Sequence, residues 1–227
     1  MERVAFIGGY DKTDLILLIA RVLTLMNHKV LYIDTTVQQK TRFIVPVMKP
    51  GNQYVTTYHD IDVACGFRTM EELNLYYQQT GQPFQYDYVL FDIDSLYYYL
   101  SFAITPNDKQ FFVTSFDIYS LRRGLSCFAR VVNPVHVHKV FFTKYMVQEE
   151  DDYLNFLSKD LRVQWDNEIV FFPFETADQD ALFVSQRKQK IRFAGLSTPY
   201  CDSVQYMCEI ITDKGQGEIK KAVRQME

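Results

Sequence analysis

The chain has 227 residues, of which 48% are hydrophobic and 15% aromatic, with 16 Tyr and 18 Phe. That is core material for one α/β domain spanning 1–227; it excludes a disordered chain and calls for no second domain. A net charge of −4 and a pI near 5.6 argue against a protein built to coat nucleic acid.

Val4–Ile7 is a short apolar run that predicts a buried strand. It leads into Gly8-Gly9-Tyr10-Asp11-Lys12-Thr13, and Asp14–Met26 then has the length and apolar content of a helix. Val30–Ile33 predicts a second strand, ending at Asp34. Thr36–Phe67 breaks the alternation with Pro46, Pro50 and Gly51, then alternates over Tyr54–Tyr58. It reads as an insertion on the sheet edge near the ligand side, carrying one edge strand. Thr69–Gln78 is a predicted helix whose Thr69 and Glu72 have capping-box spacing. Further strands are expected at Tyr88–Phe91, Gln110–Val113, Val140–Phe142 and Ile169–Phe172. Helices are expected at Tyr119–Val131, Asp151–Leu157, Asp178–Gln186 and Ser203–Ile211, and Gly215–Glu227 reads as a frayed helix. Continuous apolar runs suit a parallel sheet covered on both faces. The expected fold is therefore three-layer α/β, with a mostly parallel sheet of six to eight strands and a ligand cleft at the strands' carboxyl ends.

Cys65, Cys127, Cys201 and Cys208 form no C-x-x-C pair, which favours reduced thiols and a cytoplasmic protein. The apolar run Leu15–Ala20 is too short to span a bilayer, so neither a transmembrane segment nor a signal peptide is expected. His136 and His138 have no third ligand nearby in sequence and are not read as a metal site.

Chemistry concentrates in residues 8–13. A strand, a Gly-containing turn, Lys-Thr and a helix present backbone N–H groups and a helix N-terminus to phosphates, with Lys12 for charge and Thr13 for Mg²⁺. On these residues the chain resembles the MinD/ParA family of deviant-Walker ATPases, whose opening reads roughly G-K-G-G-x-G-K-T-T. Val30–Asp34 is similar to that family's second strand with its Mg²⁺-side acid, and Tyr86–Asp92 to its Walker B strand. Phe112–Ser115 with the helix through Arg123, and Phe172–Glu175 with Asp178–Ala181, resemble the later strand–helix units and the loop that brackets the base. The resemblance implies ATP at Gly8, Gly9, Tyr10, Asp11, Lys12 and Thr13, with Mg²⁺ held by Thr13, Asp34 and Asp92.

The departures point away from turnover. Phe6 stands where the family has a small residue, Ile7 where it has the signature Lys that reaches across a nucleotide-sandwich dimer, and Asp14 where it has the second Thr. Asp11 replaces the Gly before the Walker Lys, so a carboxylate faces the phosphate position, or else pairs with Lys12. Thr36 stands where the family places the acid that positions the attacking water. The expectation is a pseudo-ATPase serving as a scaffold or positioning factor in a secretion, pilus or conjugation assembly, with TadZ-type proteins as analogy. The alternative is a slow nucleotide-switched ATPase of the partition type. Protein partners and a homodimer are expected, with recruitment to the inner membrane face by a partner.

Elsewhere, Asp94 is expected to cap the turn after its strand. Arg187, Lys188, Lys190 and Arg192 form a basic stretch read as a solvated turn before a DNA contact. Tyr97–Leu100 and Phe102 suit core packing and a partner contact equally.

Overall fold

The computed structural model describes residues 1–48, 51–144 and 148–226. Pro50, assigned above to the insertion, and Glu227, assigned to the last helix, lie outside them. In chain order the elements are β1 (Glu2–Ile7), α1 (Thr13–Leu25), β2 (Val30–Asp34), α2 (Thr41–Ile44), β3 (Tyr54–Tyr58), β4 (Ile61–Cys65), α3 (Met70–Thr80) and β5 (Tyr88–Ile93). There follow α4 (Leu96–Ser101), β6 (Lys109–Ser115), α5 (Ile118–Ser126), β7 (Val135–Thr143), α6 (Gln148–Ser158), β8 (Val163–Pro173), α7 (Thr176–Arg187), α8 (Thr198–Thr212) and α9 (Gln216–Val223).

The strands make one eight-stranded sheet in the order β3-β4-β2-β5-β1-β6-β7-β8, parallel throughout except for β3. The central strands are buried along their whole length, as continuous apolar runs require when helices cover both faces. On one face α1, α8 and α9 pack over Val4, Phe6, Tyr32 and Leu90. On the other, α3, α4, α5 and α6 deliver Leu73, Tyr99, Leu121 and Leu154 onto Ala5, Ile33 and Phe91. Helix α1 is buried nearly all round, from Leu15 to Leu23, because α8 and α9 cover the side turned away from the sheet. Each of its fully buried aliphatic side chains contributes about 1.5–3 kcal/mol.

The region 36–67 is more than an edge insertion. It holds a β3–β4 hairpin, and β4 runs parallel beside β2 with Val63, Ala64 and Cys65 buried. Asp62 interrupts the apolar run Ile61–Cys65, which masked this strand; its carboxylate takes Tyr86 and Thr57 hydroxyls at 2.7 and 2.6 Å. The C-terminal helix also departs from the expected frayed end. Ile219, Ala222, Val223 and Met226 are buried, and Phe193 N donates to Met226 O at 3.1 Å. Helix α5 stops at Ser126, five residues before its expected end at Val131. No helix among the described residues is long and apolar enough to cross a membrane.

Strand β1 is the point where the order reverses: the chain moves from it to β2 on one side and later to β6 on the other. Such a switch point opens a crevice at the strands' carboxyl ends. The register places Asp34 directly beside Asp92 there, with Ile7 opposite Ile93.

Candidate functional site

The loop 8–13 leaves β1 and lies against β6 and α5. A Cβ on Gly8 would meet Val113 O at 1.9 Å, and one on Gly9 would meet Arg123 Cβ at 2.8 Å. Gly124 completes the fit, since a Cβ there would lie 2.6 Å from Phe112 Cε2 and 3.2 Å from Gly8 Cα. Packing alone therefore demands both loop glycines. They are not by themselves a mark of phosphate binding.

Lys12 turns inward. Its Nζ donates to Gly8 O at 2.9 Å and lies 2.7 Å from Asp92 Oδ1, with both side chains 1% exposed. Tyr32 donates its hydroxyl to Asp92 Oδ2 at 3.0 Å. Burial pushes the Asp92 carboxyl up to about 7, outweighing the pull of Lys12 toward ionisation. Tyr32 is raised well above the usual phenol range, first by burial and then by Asp92, so its O–H remains a donor.

Asp34 is fully engaged. One oxygen accepts Thr36 N–H at 3.0 Å and the Thr36 hydroxyl at 2.7 Å; the other accepts Thr41 N–H at 3.1 Å and the Thr41 hydroxyl at 2.5 Å. Thr36, which occupies the expected place of a water-positioning acid, thus serves to hold Asp34.

Asp11 sits at the N-terminus of α1. Its Oδ1 accepts Thr13 N–H at 3.1 Å, and its other oxygen pairs with Lys40. Burial acts to raise this carboxyl, but the Lys40 hydrogen bond and charge outweigh it and hold the group below its ordinary value. The pairing considered from sequence, Asp11 with Lys12, is not the one formed. Asp94 does not cap α4; Ser95 does, accepting Tyr98 N–H. Asp94 instead accepts Val37 N–H at 3.2 Å and lies 3.8 Å from Arg123.

Two adjoining cavities open above these groups. One of about 330 Å³ is lined by the 8–13 loop, Thr36, Asp92, Asp94 and Arg123. The other, of about 240 Å³, lies toward β8 and α7, and the two share Tyr10, Asp11 and Lys40 as their partition. All six loop residues expected at a nucleotide line the first cavity. Its three cations each face a carboxylate of the same lining: Lys12 with Asp92, Lys40 with Asp11, Arg123 with Asp94.

This donor set does not suit Mg²⁺–ATP as arranged. An oxyanion on α1 would need the Thr13 N–H that Asp11 holds, and a metal would need carboxylate oxygens that Asp34 has committed to four hydrogen bonds. Lys40 and Thr41, which shape the site from an irregular stretch, carried no periodic signal; Tyr32 was legible only as strand.

The other singled-out residues lie apart. The basic stretch begins at Arg187, the last residue of α7, and runs through the turn after it, with Arg187, Lys188 and Lys190 exposed and Arg192 half-buried. His138 pairs with Asp166 at 2.5 Å. In the aromatic segment Tyr99 and Phe102 are core, while Tyr97 and Leu100 are about half exposed.

The sequence matches no protein-family model, and no curated protein is significantly similar to it. Among solved structures, the Aquifex aeolicus MinC:MinD cell division complex is similar with a TM-score of 0.58 at 14% identity, covering 95% of this chain and 97% of that one. A Cyanothece McdA variant in complex with ATP gives 0.56 at 10% identity, with 95% and 97% covered. A ParA family ATPase from Chlorobium tepidum gives 0.52 at 13% identity, with 98% and 97% covered. The chain shares its fold with the MinD and ParA proteins.

Proposed function

We propose that this chain is a degenerate MinD/ParA-like pseudo-ATPase that acts as a scaffold or positioning factor for a larger assembly of the secretion, pilus or conjugation type. One observation carries the reading: the groups that would receive a nucleotide are consumed by the chain itself. Lys12 is buried on Asp92, Asp11 occupies the α1 N-terminus, and Asp34 is saturated. Binding triphosphate through Lys12 would require breaking the buried Lys12–Asp92 pair, which costs several kcal/mol before any contact is gained. Thr36 supplies no carboxylate to orient water, and Ile7 supplies no cation to a second subunit, so hydrolysis has neither of its two aids.

A docking role draws on the fold's surface. The MinD neighbour is complexed with MinC, and by analogy the partners here are proteins, with a homodimer as the working assembly and recruitment to the inner membrane face by a partner. The second reading, a slow nucleotide-switched ATPase of the partition type with Mg²⁺ at Thr13, Asp34 and Asp92, draws on the cavity of about 330 Å³ beside Lys12 and on ATP and AMPPNP in the McdA and Borrelia burgdorferi plasmid partition neighbours.

Calorimetric titration with Mg²⁺–ATP, accompanied by sizing with and without nucleotide, separates them. The scaffold reading expects no heat at roughly millimolar ATP and an unchanged oligomer. A dissociation constant on the order of micromolar, lost in a folded Lys12→Ala variant, would replace it with the switch.

A further inference from the structure

Beyond the Tyr10 partition the cleft changes character. The cavity of about 240 Å³ is walled by Tyr10, Phe142, Phe174, Phe183 and Tyr200. Tyr10 stacks on Phe142 at 4.7 Å between ring centroids, and Phe142 stacks on Phe172 at 4.7 Å, so the inner wall is rigid. At the rim Phe174 and Phe183 remain 45% and 50% exposed. Core packing does not account for those two rings.

Four carboxylates line the same cavity: Asp11, Asp14, Glu175 and Asp178. Among the described residues lining it, Lys40 is the one cation, and Asp11 already pairs with it. Two of the remaining acids, Asp14 and Asp178, are held by neutral donors. Asp14 accepts both its bonds from the Gln186 amide at 2.9 and 2.8 Å, and Asp178 accepts Ser197 N–H at 2.6 Å and the Ser197 hydroxyl at 2.8 Å. Neutral donors orient a carboxylate without cancelling its charge. Burial raises the Asp14 carboxyl above its ordinary value, outweighing the Gln186 hydrogen bond and the Lys40 charge, which act to lower it.

Aromatic faces and uncompensated carboxylates attract the same kind of ligand. Ring quadrupoles draw a cation positioned over them, and a nearby carboxylate supplies its counter-charge. The volume lies below the ~300–1,000 Å³ of drug-sized sites, so the occupant is small. We propose that this cavity binds an organic cation, a guanidinium or alkylammonium group on a short aliphatic stem, with the aromatic walls around the stem and Asp14 as the principal counter-ion. This inference does not rest on the scaffold reading, because it concerns the compartment beyond Asp11 and Lys40.

The test uses the full chain and a matched pair of probes, butylguanidinium and its neutral isostere butylurea. Calorimetry is expected to show binding of the guanidinium and none of the urea at the same concentrations. Asp14→Asn, which keeps the side chain's size and one acceptor oxygen for Gln186 while removing the charge, should weaken the guanidinium by about tenfold or more. Phe174→Ala, at an exposed rim position where folding is not at risk, should weaken it several-fold. Equal binding of the two probes, or an Asp14→Asn variant that binds as well as wild type, would overturn the proposal. Displacement of the guanidinium by micromolar ATP would overturn it too, by making the compartment a base site; absence of ATP binding alone bears only on the functional reading above. N-acetyl-arginine amide binding more tightly than butylguanidinium would place the cation on a peptide, and weaker binding would place it on a free small molecule.

Discussion

The two halves of the cleft share Tyr10, Asp11 and Lys40, yet they handle charge in opposite ways. In the half over the 8–13 loop each cation faces a carboxylate of the lining, and the innermost pair is excluded from water. In the half toward α7, Asp14 and Asp178 are oriented by neutral donors, and aromatic rings share the lining with them. The difference shows that shape alone does not set what a cavity can bind. What decides is whether the polar atoms still have interactions to offer.

The largest expected effect tests whether the loop glycines serve packing. Gly8→Ala forces a Cβ to 1.9 Å from a strand carbonyl that cannot move without disturbing β6. It should cost about 4 kcal/mol or prevent folding, measured by chemical denaturation. A near-neutral result would return the glycine to a purely ligand-binding role.

Next comes the buried pair. Lys12→Ala removes the partner of Asp92, the bond to Gly8 O and the packed stem. A loss of about 3 kcal/mol is expected, at the low end for a broken buried pair because Asp92 escapes by keeping its proton. An effect under about 1 kcal/mol would mean Lys12 is free to serve a ligand.

The same pair predicts a pH dependence. The folded-state value of Asp92 is raised to about 7 from an ordinary 3.8. The native state therefore keeps a proton that the unfolded chain has lost in that window. The Asp92 contribution to stability should fall as pH rises from about 4 to about 7 and level off above, and Asp92→Asn should remove that slope in urea melts across the range. A rising contribution would mean Lys12 outweighs burial.

The smallest effect belongs to the partition. Lys40 and Asp11 are 35% and 49% exposed, so Lys40→Ala should change stability by under about 1 kcal/mol, less still in high salt. A larger loss would make the partition a structural strut.

The sheet's inner strands were legible because a strand buried on both faces must be apolar along its length, and Val4–Ile7, Val30–Ile33 and Tyr88–Phe91 are. Strand β4 was hidden because Asp62 interrupts the pattern and its charge is satisfied by residues far off in sequence, Tyr86 among them. The last helix looked frayed because its apolar residues Ile219, Ala222, Val223 and Met226 are few and set among charges; only the packed α1 and α8 give them something to cover. At the site, the six loop residues could be named from order alone, but not the partners that Lys12 and Asp11 choose. Nothing in Lys12's neighbours along the chain indicates Asp92, and Lys40 stands in a stretch without period.

What the amino-acid sequence determined by itself is local and periodic: apolar runs that must be strands, an apolar helix after a glycine turn, and the absence of a lysine at position 7 and an acid at position 36. Backbone hydrogen bonding and burial act on such patterns wherever they occur, so they can be read without a fold. Which charges neutralise one another was decided only in three dimensions. An ion pair depends on separation and on exclusion from water, and the β2–β5–β1 register brings Asp92 to Lys12 while the loop after β2 brings Lys40 to Asp11.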